Sequence, residues 1–264
     1  MKLKNISLLM MVLAAAVVAC SSTESAVSSR RMSAGQFSTV VVSGSLPVEL
    51  RQVPDSAGQV VVMASDRAMA DVRVACTGGT LAISYESKPG TTGYSREVKR
   101  VVAYCGREVQ QLRLTGSGML SSKGLRTASD LTVVLTGSGM MNLDDVVCAN
   151  FTGSLTGSGM LNAKGLKARN VSISGTGSGM VNAKDVDAVS FNCTESGSGM
   201  VNAAGTATKA SLALRGSGMV NAKGLRTHSV SVSCSGSGMV NYDSSAPEVK
   251  VVSGRQASKG TVTR

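Results

Sequence analysis

The chain has no tryptophan and only three phenylalanines and four tyrosines in 264 residues. Stacking platforms for single-stranded nucleic acid or for sugar rings are therefore scarce, and no nucleic-acid partner is expected. There is one histidine, His228, with no evident nucleophile partner. No catalytic motif appears elsewhere, no cofactor is implied, and nothing marks a metal site. The apolar run over residues 6–18 is too short for a comfortable transmembrane helix. What the chain has instead is repetition.

Gly-Ser-Gly-Met occurs seven times, beginning at Gly116, Gly137, Gly157, Gly177, Gly197, Gly216 and Gly236, in steps of 21, 20, 20, 20, 19 and 20 residues. A fixed period of this size is the signature of a solenoid in which each repeat is one coil stacked on the last. Six, four and two residues ahead of each motif lie alternating, mostly apolar positions, such as Leu131, Val133 and Leu135, then Val171, Ile173 and Gly175, then Phe191, Cys193 and Glu195. Period-2 spacing of this kind predicts a strand with one buried face. The same parity carries Leu120, Met141, Leu161, Val181, Val201, Val220 and Val240 into a second inward column, and Leu125, Val146, Leu166, Val186 and Leu225 follow five residues later. Two or three short strands per coil, with corners at the Lys/Asp-Gly/Asp pairs, fit this length. The expected fold is all-β, a single-domain parallel β-helix of about twenty-residue coils, right-handed rather than left-handed. In-register strands about 4.8 Å apart make seven coils a rod on the order of 34 Å long.

The motif glycines need no functional explanation, because glycine takes backbone angles closed to other residues and lets backbones approach closely. The serine between them is expected to face outward. Residues 37–115 lack the strict motif but keep its grammar, with strand candidates around Val40–Val42, Val60–Val62, Val72 and Val74, Leu81 and Ile83, and Val101 and Val102. They are expected to form irregular early coils of the same stack, with a protruding loop at Lys88 to Gly93. Residues 116–244 form the seven regular coils. Residues 245–264 are expected to be a degenerate coil and polar tail, where Arg255, Lys259 and Arg264 discourage end-to-end pairing.

The N-terminus reads as an address. Lys2 and Lys4 precede the apolar run, and Val17-Val18-Ala19-Cys20 resembles a bacterial lipobox, in which the thiol is lipidated after removal of residues 1–19. Acyl chains anchor a domain without a spanning segment. A Ser-rich tether fills residues 20–36, with little reason to fold. The expected location is the cell envelope, as an outer-membrane lipoprotein facing either the periplasm or the exterior. The formal charge of +11 becomes +9 once Lys2 and Lys4 are removed, with 25 basic residues against 16 acidic ones. That balance favours anionic partners, or simply solvates the corners of a solenoid.

The opening FSTVVVSGSLPVEL, the valine-rich strands after it and the serial L-x-G-S-G coils behind a lipobox resemble the GIN-domain family of Bacteroidetes lipoproteins. The resemblance spans roughly residues 37–254. It implies a β-helical fold, an envelope location and an adhesive role in binding glycan or protein partners. The residue after Gly-Ser-Gly is usually polar or acidic in that family, whereas here it is methionine in all seven copies.

Register stacking turns every repeated residue into a column. Met119, Met140, Met160, Met180, Met200, Met219 and Met239 form one, and the motif serines a second. Asn142, Asn162, Asn182, Asn202, Asn221 and Asn241 form a third. Parity puts all three on the face opposite the apolar one. Stacked amides hydrogen-bond along a ladder, which accounts for the asparagines structurally. The methionines are read either as a self-covering or core column, or as an apolar surface strip that marks a partner site. A single line of thioethers does not encircle a soft metal ion. Lys123, Lys164, Lys184 and Lys223, with Arg126, Lys167 and Arg226, suggest a basic stripe for anionic glycan, or a solvated corner.

Of the remaining cysteines, Cys193 and Cys234 read as small core residues two coils apart, about 9.6 Å and too far for a disulfide. A Cys76–Cys105 bridge is open. Polysaccharide-acting β-helices need acids converging on one face, but Asp144, Asp145, Asp185 and Asp187 read as turn formers. No enzyme is expected. The leading expectation is a lipid-anchored binding module, the alternative an envelope spacer, and a polysaccharide-acting enzyme a distant third.

Overall fold

The computed structural model describes residues 27–86, 95–258 and 260–263. The leader, Cys20 and the loop at Lys88 to Gly93 lie outside the described residues. We name the coils by their motifs, coil 1 starting at Gly116 and coil 7 at Gly236. The protein is an all-β solenoid of about seven turns.

Alternation decides which side chains enter the core. In coil 4 the side chains of Val181, Ala183, Val186, Phe191, Cys193 and Glu195 are buried, while Met180, Asn182, Lys184 and Asp187 face out. Each fully buried aliphatic or aromatic side chain contributes about 1.5–3 kcal/mol relative to exposure. All five inward columns read from the sequence are buried. A sixth runs through Ser122, Leu143, Ala163, Ala183, Ala203, Ala222 and Tyr242. Its residues are mostly small where the coil is about to turn.

The coils are in register as well as in period. Met160 pairs with Met180, Asn162 with Asn182, Val171 with Phe191 and Gly177 with Gly197, all in parallel. The expectation of two or three separate strands per coil is corrected for the middle of the rod. Strands there run almost a full turn, as Met160–Gly177, Met180–Gly197, Met200–Gly216 and Met219–Ser235. The corner is made inside a continuous ladder by a left-handed residue, at Gly165 (φ 68°) or at Asp145 and Asp185 (φ 54° and 53°). Aspartate tolerates that conformation better than most residues, which explains why it alternates with glycine at this place.

The second bend is the motif. Gly177 has φ 113°, and a Cβ there would stand 2.6 Å from the carbonyl oxygen of Gly157. Ser178 N donates to that same oxygen at 3.1 Å, and Met180 N donates to Gly159 O at 3.0 Å. Each motif therefore docks its backbone on the motif of the coil before, at a separation no side chain could share. The 19-residue step is absorbed in coil 5 at Gly205 (φ 131°), which pairs with Val186 so closely that a Cβ would lie 2.2 Å from the Val186 carbonyl oxygen.

The N-terminal region joins the same stack, but not in chain order. Strands Thr39–Gly44 and Pro47–Gln52 lie in parallel directly against coil 1, with Val40 opposite Leu112, Gly44 opposite Gly116 and Val48 opposite Leu120. Strands Thr80–Tyr85 and Val98–Cys105 cover that turn in parallel. Gln59–Ser65 and Val72–Thr77 then add antiparallel layers, the latter through a two-residue Gly78-Gly79 turn. Hairpins close the end of the stack with short connections, which parallel strands cannot do.

Part of the presumed tether is also a strand. Val27–Ser33 pairs antiparallel with Gln59–Ser65, Arg30 donates to the Val72 carbonyl oxygen at 3.3 Å, and Ser28 donates to Asp66 at 2.5 Å. Its side chains have no apolar pattern because edge pairing uses backbone groups, so periodicity could not reveal it. At the other end Glu248–Ser253 continues the stack beyond coil 6, with Val249 opposite Val230. The polar tail is corrected as well. Thr261–Thr263 folds back antiparallel on Met239–Tyr242 and buries Val262, closing the last turn. Lys259 and Arg264 lie outside the described residues. All five described cysteines are free, so Cys76 and Cys105 are not bridged.

Candidate binding faces

The strand that leaves each motif carries methionine, then asparagine (Ser121 in coil 1), then a corner residue at alternate outward positions. The methionines pair in unbroken register from Met119 to Met239, capped beyond Met119 by Pro47. They lie outside the core. Met119 is 43% and Met239 37% exposed, and the five between are half-buried against one another. The motif serines beside them are all exposed.

Two residues further along each strand, the asparagines form a hydrogen-bonded ladder. Asn162 Nδ2 donates to Asn142 Oδ1 at 2.7 Å, Asn182 to Asn162 at 2.8 Å and Asn202 to Asn182 at 2.9 Å. At the end of the column Asn241 is buried and accepts from Thr261 Oγ1 at 3.0 Å. Asn221 is in register with Asn202 and Asn241. These amides stabilise the stack first, and their remaining donors and acceptors face outward.

The proposed basic columns are interrupted. Asp144 stands between Lys123 and Lys164, and only Lys164 and Lys184 are direct neighbours. Between coils 5 and 6 the register shifts, so that Ala204 pairs with Gly224 and not with Lys223. In the second column Arg126, Val147, Lys167, Asp187, Thr206 and Arg226 follow one another. The corner is thus a mosaic of both signs.

Two features escaped the sequence reading. A second amide ladder runs along the opposite corner, where Asn150 donates to Asp130 and Asn170 to Asn150, each at 2.7 Å. Its signal was present as Asp or Asn at a fixed spacing just before the inward Leu131, Phe151 and Val171. The strands entering the third and fourth motifs also present an outward hydroxyl face, with Thr152, Ser154 and Thr156 in one coil and Ser172, Ser174 and Thr176 in the next.

Glu195 is the exception to the apolar interior. It is 2% exposed, its Oε1 has no hydrogen-bond partner, and burial pushes its carboxyl above the usual range against a smaller pull from the Gly199 amide. Burial and the neighbouring Glu195 push the Cys193 thiol up to about 12. Neither group meets solvent. Among the described residues no three His, Cys, Asp or Glu side chains gather as a metal site. No helix among them is long and apolar enough to cross a membrane.

The sequence profile of the family described as "Putative auto-transporter adhesin, head GIN domain" matches residues 36–202 and 154–249. The chain belongs to the GIN-domain family. Solved structures agree with that fold. A "putative lipid binding protein" from Parabacteroides distasonis superposes with a TM-score of 0.64 at 23% identity, covering 82% of this chain and 89% of the other. A "putative adhesin" from Bacteroides fragilis gives 0.61 at 17% identity, covering 87% and 96%. A second "putative adhesin" from Parabacteroides distasonis gives 0.68 at 16% identity, covering 82% and 89%. These likenesses establish the fold. Comparison with curated proteins found no match. Within the GIN fold, the Gly-Ser-Gly bend is the docking element between coils, and the methionine after it is what this chain places on the surface.

Proposed function

We propose that this GIN-domain protein is a lipid-anchored module of the cell envelope, held at the outer membrane through Cys20, whose solenoid binds glycan or protein partners as an adhesin head. The observation that carries this reading is the continuous methionine ladder from Met119 to Met239 on the outside of the rod. Packing of the core does not require it, since the inward columns are complete without it. A contiguous apolar strip on a polar surface marks an interaction site, and methionine adapts to varied partners. The flanking asparagines supply hydrogen-bonding groups beside the strip.

The test is binding of the purified chain to a glycan array and to a panel of surface proteins, with lipid vesicles as a third arm because one structural neighbour carries a lipid-binding name. Binding that is lost when all seven methionines become serine supports the reading. No binding in any arm leaves a rigid spacer as the function. Labelling of the lipid on Cys20 and protease shaving of intact cells test the anchor and the side of the membrane.

A further inference from the structure

A pocket of about 580 Å³ opens where the N-terminal layers meet coils 1 and 2. Its lining includes Gln52, Pro54, Arg107, Glu108, Arg126 and Val147. Gln52 organises it. The backbone amide of Arg126 donates to Gln52 Oε1 at 2.8 Å, and Gln52 Nε2 donates to the Arg126 carbonyl oxygen at 2.7 Å. The same Nε2 donates to the carbonyl oxygen of Gly106 at 3.0 Å. One side-chain amide thus ties together the two segments, 74 and 54 residues away in sequence, that carry Arg126 and Arg107.

The charges in this pocket are unspent. Arg126 Nη1 donates to a neutral acceptor, the Asp145 carbonyl oxygen, at 2.7 Å. Among the described residues neither Arg107 nor Arg126 has a carboxylate within ion-pair distance. The one acid in the lining, Glu108, accepts from the Ser129 hydroxyl at 3.0 Å. Several arginines of the N-terminal layers are instead paired with carboxylates, as at Arg51–Glu49 (2.6 Å) and Arg67–Glu97 (2.5 Å). Two exposed arginines lining one cavity, with apolar Pro54 and Val147 beside them, match an anion carried on a compact polar ring. Guanidinium groups bind carboxylate and sulfate through paired hydrogen bonds, and small-ligand sites have volumes of about 300–1,000 Å³.

The geometry points to this pocket as the subsite for an acidic sugar, a uronate or sulfated unit of a glycan, with Arg107 and Arg126 holding the anionic group. The inference rests on the adhesin reading and names the ligand class that reading leaves open. With no aromatic side chain in the lining, selection rests on charge rather than on ring stacking.

The test is calorimetric or NMR titration of the purified chain with methyl glucuronide, a glucoside sulfate, neutral methyl glucoside and inorganic sulfate. The acidic sugars bind, the neutral glucoside binds about tenfold more weakly or not at all, and Arg107→Ala with Arg126→Ala lowers acidic-sugar affinity by about tenfold or more. Gln52→Ala weakens binding with no change in the ligand's own contacts, and each variant's melting curve checks that the fold persists. Equal binding of neutral and acidic sugars, wild-type affinity in the double variant, or inorganic sulfate binding as tightly as the sugars overturns the subsite. An unchanged glycan-array pattern in the double variant also overturns it while the adhesin reading stands. Binding of glucuronide in solution with a blank glycan array and no binding to the surface-protein panel overturns the adhesin reading and leaves the subsite in place.

Discussion

The carboxyl of Glu195 occupies the space that Gly175, its in-register partner one coil earlier, leaves by having no side chain. A Cβ on Gly175 would stand 1.9 Å from Glu195 Oε2. The column that holds them is otherwise Leu114, Leu135, Leu155, Leu214 and Cys234, so an acid and a void replace two leucines in the middle of the core.

Replacing Glu195 with leucine therefore stabilises the rod at neutral pH. A buried polar group without its hydrogen bonds costs about 1–3 kcal/mol. The pH dependence has a definite sign. The folded-state pKa of Glu195 is raised by burial, so its proton-linked stability is fully present below the unfolded carboxylate value and is lost as pH rises through the raised one. Thermal melting at several pH values will show the gap between Glu195→Leu and wild type widening as pH rises from about 4. A constant gap would sink the idea.

Gly175→Ala acts through the same contact. In the wild type the new methyl forces the Glu195 carboxyl aside and destabilises the protein. In a Glu195→Ala background the methyl enters vacated space and the penalty disappears. A double-mutant cycle by chemical denaturation reads this as a coupling of about 1–3 kcal/mol, and additivity of the two changes would rule the contact out.

The motif predicts a sharp contrast between adjacent residues. Gly177→Ala combines a left-handed backbone with a backbone contact of 2.6 Å and costs at least about 2 kcal/mol. Ser178→Ala, at an exposed position, stays within about 0.5 kcal/mol of wild type. Denaturant midpoints measure both.

Asn182 donates to Asn162 and accepts from Asn202, so Asn182→Ala breaks two rungs of the ladder. The expected loss is about 1–2 kcal/mol. Asn182→Asp loses the donor and adds a charge, so its deficit shrinks at low pH where the carboxyl is neutral. A deficit independent of pH would count against the ladder geometry.

Cysteine reactivity checks the interior. With Cys20 replaced by serine, a thiol reagent applied to the native protein modifies Cys76 first, because Cys105, Cys148, Cys193 and Cys234 are buried. Burial also holds the Cys105 and Cys148 thiols up at about 11, far from their reactive form. Rapid labelling of Cys193 without unfolding would contradict the inward assignment.

Much of the regular rod was legible in residue order alone. Repeats in register make periodicity a direct readout of neighbours, so the Gly-Ser-Gly-Met spacing located the coils, and parity put Met180 and Asn182 outside and Val181 and Phe191 inside. Aspartates at the corners were readable as turn formers because few residues tolerate the conformation Asp145 and Asp185 adopt. The irregular parts resisted the same reading. Val27–Ser33 and Thr261–Thr263 are edge strands held by backbone pairing, which leaves no side-chain pattern to detect.

By itself the sequence determined the solenoid, its period and the faces of its coils, because those follow from local alternation repeated at one spacing. Only the tertiary structure decided that Thr39–Gly44 lies against Gln111–Gly116, some seventy residues away, and that Gln52 clamps Arg126 beside Arg107. Each of these depends on contacts between segments with no shared repeat, and there the spacing along the chain carries no information about position in space.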